Sequence, residues 1–137
     1  MKKMTILLIF LFFCVRAQAP EHNTLLILKP NEINLYERLI KAVTWVESKN
    51  GLYVWNPKEE AVGWFQIRQC RVDDYNKRTK SSYKLKDFYD YELSKRAFLY
   101  FTKGRSLEQV ARSWNGSGPK TIEYWSKVQF ALKRVTP

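Results

Sequence analysis

The chain has 137 residues, a length that favours a single domain. Hydrophobic residues make up 45% of it and charged residues 27%, a composition that excludes a disordered or collagen-like chain. Lys and Arg number 24 against 13 Asp and Glu, so the formal net charge is +11. Five Trp, eight Tyr and eight Phe accompany this charge. The composition therefore predicts a small, basic, aromatic-rich globular domain.

The first residues have the features of an export signal. Lys2 and Lys3 precede an unbroken apolar run, Ile6–Val15, of ten residues. A membrane-spanning helix needs about 20 apolar residues, so a cleaved signal peptide explains this run better than a membrane anchor. We predict that residues 1–17 are the signal peptide and that cleavage occurs before Gln18. The mature chain is then exported, to the periplasm or to the extracellular space, with no stable membrane span.

Cysteine and histidine are scarce. Cys14 follows the apolar run and raises the alternative of a lipid anchor, which the bulky Phe13 before it disfavours. After cleavage Cys70 is the sole cysteine, so no intramolecular disulfide can form, and we expect it to be a buried small hydrophobe. His22 is the sole histidine, so a zinc site or a Ser-His-Asp triad is difficult to build. We expect neither a metal nor an organic cofactor.

The mature chain begins with a predicted lead-in, residues 18–30, that ends at Pro30. A helix capped by Asn31 follows, and Asn50-Gly51 is a good signal for its end. Apolar residues at three- and four-residue spacing predict that one face of this helix packs into the core. That stripe comprises Tyr36, Leu39, Ile40, Val43 and Val46.

From residue 52 to residue 67 the helical spacing is lost, and β-prone aromatic segments flank a turn at residues 56–59. This pattern predicts a small irregular hairpin or an ordered loop. A short helix over residues 68–78 and a polar loop over 79–82 follow. A longer helix is predicted over residues 87–101. Its buried positions are expected to be Leu93, Ala97, Phe98 and Phe101.

The C-terminal part begins with an S-x-x-Q capping box at Ser106, which opens a helix that runs to about Trp114. Residues 115–119 form a turn, and the last helix starts near Pro119, a residue suited to a first helical position. No repeat or linker interrupts the chain. The fold class is therefore mainly α, a compact helical domain over residues 31–137 with one small hairpin or ordered loop. The last helix carries Ile122, Trp125, Val128, Phe130 and Leu132.

Glu47 has the most unusual setting among the acidic residues. It lies four residues after Val43 and seven after Ile40, so it shares the apolar face of its helix. Burial disfavours the charged carboxylate and the negative end of the helix dipole acts in the same direction, so its pKa should be raised. A carboxyl that is protonated near neutral pH suits the general acid of glycosidic cleavage. On position alone, a surface glutamate paired with Lys41 or Lys49 explains Glu47 equally well.

Four short motifs occur in order along the chain. They are E-S at Glu47-Ser48, G-W-F-Q at residues 63–66, W-N at Trp114-Asn115 and the late Tyr124. This arrangement resembles the lysozyme-like lytic transglycosylase (SLT domain) family, whose pattern is E-S, then G-L-M-Q, then A-Y-N-A-G, then a late tyrosine. The resemblance covers about residues 33–130. The chain departs from the pattern where a tryptophan replaces the tyrosine before Asn115 and where a looser G-S-G turn follows.

The resemblance implies an α+β lysozyme-like fold and cleavage of the β-1,4 bond between N-acetylmuramic acid and N-acetylglucosamine in peptidoglycan. It implies that Glu47 acts as the single general acid and base and that the product is a 1,6-anhydro-muramyl sugar. The substrate-binding residues it implies are Ser48, Gln66, Phe65, Trp114, Asn115 and Tyr124.

Most of these residues also have a structural explanation. Ser48 could satisfy a carbonyl at the helix end, and Gln66 could be an amide at a strand edge. Asn115 could end a helix, and Tyr124 could belong to the core. Trp64 and Phe65 are expected to point to opposite sides, so one of the two should be buried.

Three other functions compete with this one. A hydrolytic, lysozyme-type enzyme could use the same glutamate, with Glu59, Glu60 or Asp73 as the base. A non-catalytic wall-binding module would have the same resemblance, although retention of both Glu47 and Gln66 speaks against it. The basic, aromatic composition also suits a nucleic-acid binder, which the export signal disfavours. The expected partners are peptidoglycan glycan strands, with a secretion or conjugation apparatus that spans the envelope as an optional further partner, no nucleic acid, and a monomeric state.

Overall fold

The computed structural model describes residues 30–135; the predicted signal peptide, Cys14 and His22 lie outside this range. The described chain is mainly helical with one small antiparallel hairpin, which confirms the predicted fold class at this level. In chain order the elements are α1 (Pro30–Ser48), β1 (Trp55–Asn56), β2 (Ala61–Val62), α2 (Gln69–Thr79), a 3-10 turn (Leu85–Tyr89), α3 (Tyr91–Thr102), α4 (Leu107–Asn115) and α5 (Lys120–Leu132).

Helices α1 and α5 form the main packed pair, and α4 packs against α5. A guanidinium nitrogen of Arg38, in the middle of α1, donates to the carbonyl of Leu132 at the end of α5, at 3.2 Å, whereas Glu47 at the end of α1 contacts Tyr124 in the first half of α5. The two helices therefore run antiparallel. As the spacing predicts, Leu39, Ile40 and Val43 of α1 are fully buried.

The hairpin is short because only two residues of each strand pair. Trp55 lies opposite Val62 and Asn56 opposite Ala61, with the four-residue turn between them. Val62 also forms an antiparallel bridge with Ile67 through two backbone hydrogen bonds of 2.8 and 2.9 Å. The hairpin thereby folds back toward the start of α2.

The predicted helix over residues 87–101 is wrong at its start. Asp90 has an extended backbone (φ −66°, ψ 126°), and its carboxylate accepts a 2.7 Å hydrogen bond from the backbone N–H of Leu93. It is therefore the cap of α3, and the residues before it form the separate 3-10 turn. Phe101, predicted to be buried, is only partly buried.

The capping box at the start of α4 is confirmed. Ser106 Oγ accepts from the backbone N–H of Gln109, and the Gln109 side chain accepts from the backbone N–H of Ser106. In α5, by contrast, Ile122 and Phe130 are more than half exposed, while Tyr124 and Val128 face the core. Within residues 30–135, no helix combines the length and the apolar character needed to cross a membrane.

Candidate active site

Glu47 lies in the last turn of α1, where the chain leaves the helix. Lys49 and Asn50 adopt left-handed backbone conformations, with φ of 53° and 56°, and so end the helix. Ile40 and Val43 are buried on the same face, and Glu47 itself is partly buried. The prediction that Glu47 shares the apolar face of its helix is confirmed.

The hydroxyl of Tyr124 on α5 donates a hydrogen bond of 2.6 Å to Oε1 of Glu47. Burial raises the pKa of Glu47 from 4.5 to about 7, because desolvation disfavours the carboxylate. The hydrogen bond from Tyr124 and the positive charge of Arg68 lower this pKa, whereas the negative charge of Glu59 adds to the increase. Near neutral pH the carboxyl is therefore present in both protonated and ionised forms.

Glu47 opens into a cleft of about 50 Å³ between the hairpin, the start of α2 and the end of α4. Pockets that enclose a whole ligand usually measure about 300–1,000 Å³. The cleft can therefore receive only a few atoms, and a larger ligand would lie across its mouth. Its lining residues are Glu47, Glu59, Gln66, Ile67, Arg68, Cys70, Arg71, Trp114 and Asn115.

A larger open cavity of about 750 Å³ lies beside the loop between α4 and α5. Its carboxylate, Glu108, is exposed and forms an ion pair of 3.1 Å with Arg112. The acid of this cavity is therefore already engaged by a neighbouring cation. We therefore assign the candidate site to the smaller cleft at Glu47, on chemistry rather than on volume.

The two predicted amides both line the cleft. Gln66 has a left-handed backbone (φ 49°), and its side-chain nitrogen donates to the carbonyls of Gly63 at 2.9 Å and Tyr53 at 3.1 Å. That nitrogen is therefore engaged in holding the hairpin. Asn115 is the last residue of α4, and its side chain makes no hydrogen bond to the described residues. Asn115 therefore fits both explanations, because it ends the helix and also lines the cleft.

Ser48 and Phe65 do not reach the cleft, which corrects their predicted role in substrate binding. Ser48 is 1% exposed, and its Oγ accepts from the backbone N–H of Gly51 at 2.9 Å and lies 2.8 Å from the Trp64 carbonyl, to which it donates. Its hydroxyl joins the end of α1 to the loop after β2. Phe65 is fully buried and stacks on Phe98 with ring centroids 5.0 Å apart.

Trp114 and Tyr124 lie near Glu47 but are also mainly buried, each 7% exposed. The Trp114 Nε1–H donates to the Phe65 carbonyl at 3.1 Å, and its ring packs edge-on against Phe98. Trp114 therefore contributes an edge to the cleft wall and offers no open face for a sugar ring. Tyr124 contacts the site through its hydroxyl, which donates to Glu47.

Sequence reasoning missed the two cations of the cleft. Arg71, in the first turn of α2, lies over the rings of Phe101 and Trp114, at 4.8 and 4.9 Å from their centroids. It donates to the carbonyls of Ser113 at 3.1 Å and Trp114 at 3.4 Å. Arg68 donates to the Asn115 carbonyl at 3.4 Å. The signal available in the sequence was the position of Arg68 directly after Gln66-Ile67, with Arg71 three residues further on.

Cys70 was expected to be buried, and this is wrong. It is exposed in the first turn of α2, at the edge of the cleft. Val72, two residues later, points into the core, and the helical spacing turns Cys70 away from it.

In the part of the chain that the structure describes, no group of three or more His, Cys, Asp or Glu side chains could hold a metal ion. No family model, no curated protein and no solved structure matches the chain. The function must therefore be inferred from the side chains of the cleft and from the order of the motifs.

Proposed function

We propose that the chain is a peptidoglycan lytic transglycosylase that cleaves the β-1,4 bond between N-acetylmuramic acid and N-acetylglucosamine. The observation that carries this proposal is the carboxyl of Glu47, half-buried beside a cleft, with a pKa of about 7 and a 2.6 Å hydrogen bond from Tyr124. A pKa near the working pH suits a group that first gives and then takes a proton. The order of the four motifs supports the same assignment.

The proposed reaction uses one carboxyl twice. Protonated Glu47 donates its proton to the glycosidic oxygen as the bond from that oxygen to C1 of the muramyl sugar breaks. The resulting carboxylate then accepts the proton of the muramyl 6-hydroxyl while that oxygen bonds to C1. The product is a 1,6-anhydro sugar, Glu47 is again protonated, and no water is consumed. The Tyr124 hydroxyl stabilises the carboxylate that exists between the two transfers, because hydrogen bonds to charged acceptors are the stronger ones.

The small volume of the cleft agrees with a polymeric substrate. A glycan strand would lie across the mouth of the cleft and present only the scissile bond to Glu47. The side chain of Asn115 and the amide oxygen of Gln66 are hydrogen-bonding groups at this mouth that suit the acetamido groups of the two sugars. We further propose an exported monomer that acts on the cell wall without a metal or an organic cofactor.

A lysozyme-type hydrolase is the second candidate, because Glu59 lines the same cleft and its charge raises the pKa of Glu47. In that reaction Glu59 would activate a water molecule instead of the muramyl hydroxyl. The Glu59 side chain is 60% exposed and is therefore open to water. Glu59→Gln separates the two candidates, since only the hydrolase would lose its activity by a factor of about 100 or more.

The test is mass spectrometry of the fragments that the mature chain releases from purified peptidoglycan. Anhydro-muramyl products that disappear with Glu47→Gln would support the transglycosylase. Products one water heavier would identify a hydrolase instead. Glu92→Gln is the matched control, since Glu92 is exposed on α3 and does not line the cleft. No release by the unaltered chain would contradict both enzymatic candidates and leave a wall-binding module.

A further inference from the structure

The cleft contains two arginines with different surroundings. Arg71 is engaged by the protein itself, because it lies over two aromatic rings and donates to two carbonyls at the end of α4. Arg68 precedes α2 as its first flanking residue, and its side chain is 45% exposed. Its positive charge lowers the pKa of Glu47, so the guanidinium lies within electrostatic reach of the proposed acid.

Arg68 is weakly engaged by its neighbours. Its Nη2 donates to the Asn115 carbonyl at 3.4 Å, and its Nη1 lies 4.0 Å from Oε2 of Glu59. Charge-assisted bonds between a guanidinium and a carboxylate are typically about 2.7–2.9 Å long and often bidentate. Both Arg68 contacts are therefore long for a hydrogen bond or an ion pair, and they hold the guanidinium weakly. A guanidinium has five N–H donors, so Arg68 can donate hydrogen bonds to an incoming carboxylate without leaving a buried group unpaired.

Glu59, in the hairpin turn, and Asn115, at the end of α4, both line the cleft. Because Arg68 is within reach of both, its guanidinium lies between these two elements. Arg68 lines the same cleft as Glu47, so a substrate bound at Glu47 would lie close to this cation. The long contact to the Glu59 carboxylate indicates that the free N–H donors of Arg68 would attract another carboxylate.

The proposed substrate carries such a group close to the scissile bond. The muramyl sugar whose C1 bond is cleaved bears a lactyl ether on its C3. Where a stem peptide is attached, the lactyl carboxyl is an amide and has no charge. Where the peptide has been removed, it is a free carboxylate on the same sugar ring that Glu47 attacks.

We propose, on the basis of the function proposed above, that Arg68 is a specificity residue that binds the free lactyl carboxylate of the muramyl sugar at the scissile bond. The chain then cleaves glycan strands without stem peptides in preference to strands that carry them. Its substrate is supplied by a reaction that hydrolyses the amide bond between the lactyl group and the peptide.

The test compares two substrates that differ in one charge, namely peptide-stripped glycan strands and the same strands with the lactyl carboxyl converted to a primary amide. We expect kcat/KM of the unaltered chain to be about 10-fold or more higher on the charged strands, as a charge-assisted bond of this kind implies. Arg68→Gln should lose this preference, because kcat/KM should fall on the charged strands much more than on the amidated strands. Arg68→Lys should keep part of it, since it retains the charge and loses the bidentate fork.

Arg96→Gln is the matched control, because Arg96 is exposed on α3 and does not line the cleft. It should leave the preference unchanged. An equal loss on both substrates with Arg68→Gln would overturn the inference, because it would assign Arg68 to positioning Asn115 or to tuning the pKa of Glu47. Strands that retain their stem peptides serve as a third substrate, and a loss confined to these strands would also overturn the inference, since the carboxylate recognised would then belong to the peptide.

A binding measurement separates failure of this inference from failure of the proposed function. Calorimetry with Glu47→Gln requires no cleavage, and adding Arg68→Gln should weaken binding of the charged strands about 10-fold while binding of the amidated strands stays constant. Equal binding with and without Arg68 would overturn the inference even if the chain proves to be a transglycosylase. An absence of cleavage together with the expected difference in binding would contradict only the proposed reaction.

Discussion

The hydroxyl of Tyr124 and the carboxyl of Glu47 are joined by a hydrogen bond of 2.6 Å, although 77 positions separate the two residues in the chain. Each side chain projects from a helix, and the two helices pack antiparallel along their length. The geometry of the carboxyl is therefore fixed by helix packing rather than by a loop. Such rigid support is what a group that must meet a substrate oxygen within hydrogen-bond distance requires.

Tyr124→Phe should raise the pKa of Glu47 further above 7. Burial raises the pKa of Glu47 and the hydrogen bond from Tyr124 lowers it, so the pKa should rise when this hydrogen bond is removed. The proposed active form is protonated at Glu47, so the alkaline limb of the kcat/KM profile should move to higher pH. Titration of the Glu47 carboxyl carbon by NMR measures the same change without an assay of activity. A pKa that stays constant or falls would contradict the role assigned to Tyr124.

The raised pKa of Glu47 also predicts how stability depends on pH. Folded Glu47 binds its proton more tightly than the unfolded chain does, so its contribution to the folded state is complete below pH 4.5. That contribution is lost as the pH rises through about 7. A difference of this size corresponds to about 3 kcal/mol in the free energy of unfolding.

Glu47→Gln is the control, because glutamine resembles the protonated carboxyl at every pH. Urea unfolding of both proteins at pH 4 and pH 8 should show a loss for the unaltered chain that the variant lacks. Other titrating groups contribute equally to both proteins and cancel in the comparison. If the two proteins lose the same stability between these pH values, the pKa of Glu47 is not raised in the folded protein.

The sequence predicted the helices well where spacing and caps are local properties. The stripe on α1 and the capping box at Ser106 belong to this class, since each depends on residues within a few positions. The start of α3 was missed because Asp87 and Asp90 are both acceptable caps, and only the three-dimensional structure distinguishes the 3-10 turn from the helix.

The candidate site was predicted less completely than the fold. The position of Glu47 on an apolar face predicted the direction of its pKa shift, whereas its proposed role as the acid came from the order of the motifs. Ser48 is buried against the carbonyl of Trp64, and Phe65 is buried against the ring of Phe98. Both contacts join residues that are far apart in the chain, so local sequence patterns do not predict them. Arg68 reaches the cleft because α2 begins beside the end of α4, a relationship that no local pattern contains.

Trp114→Phe should destabilise the fold by about 2–3 kcal/mol. It removes the donor to the buried Phe65 carbonyl and leaves a void beside Phe98, and each effect costs free energy. Trp45→Phe is the matched control, since Trp45 is 41% exposed and its replacement should change stability by less than about 0.5 kcal/mol. Urea unfolding measures both. Similar losses in the two variants would contradict the assignment of Trp114 to the structural core.

Gly63→Ala should destabilise the fold far more than Gly104→Ala. Both glycines have left-handed backbones, with φ of 77° and 71°, so each variant incurs the strain of a side chain in that region, about 1–2 kcal/mol. A Cβ at Gly63 would also overlap the backbone carbonyl of Phe88, whereas a Cβ at Gly104 would meet open space. The Phe88 carbonyl accepts a 2.6 Å hydrogen bond from Ser94 Oγ, so it cannot move away freely.

We expect Gly104→Ala to lose about 1 kcal/mol and Gly63→Ala to lose more than about 3 kcal/mol or to fail to fold. Equal, small losses in urea unfolding would show that the loop after β2 is not packed against the 3-10 turn, and the glycine of the G-W-F-Q motif would then need another explanation.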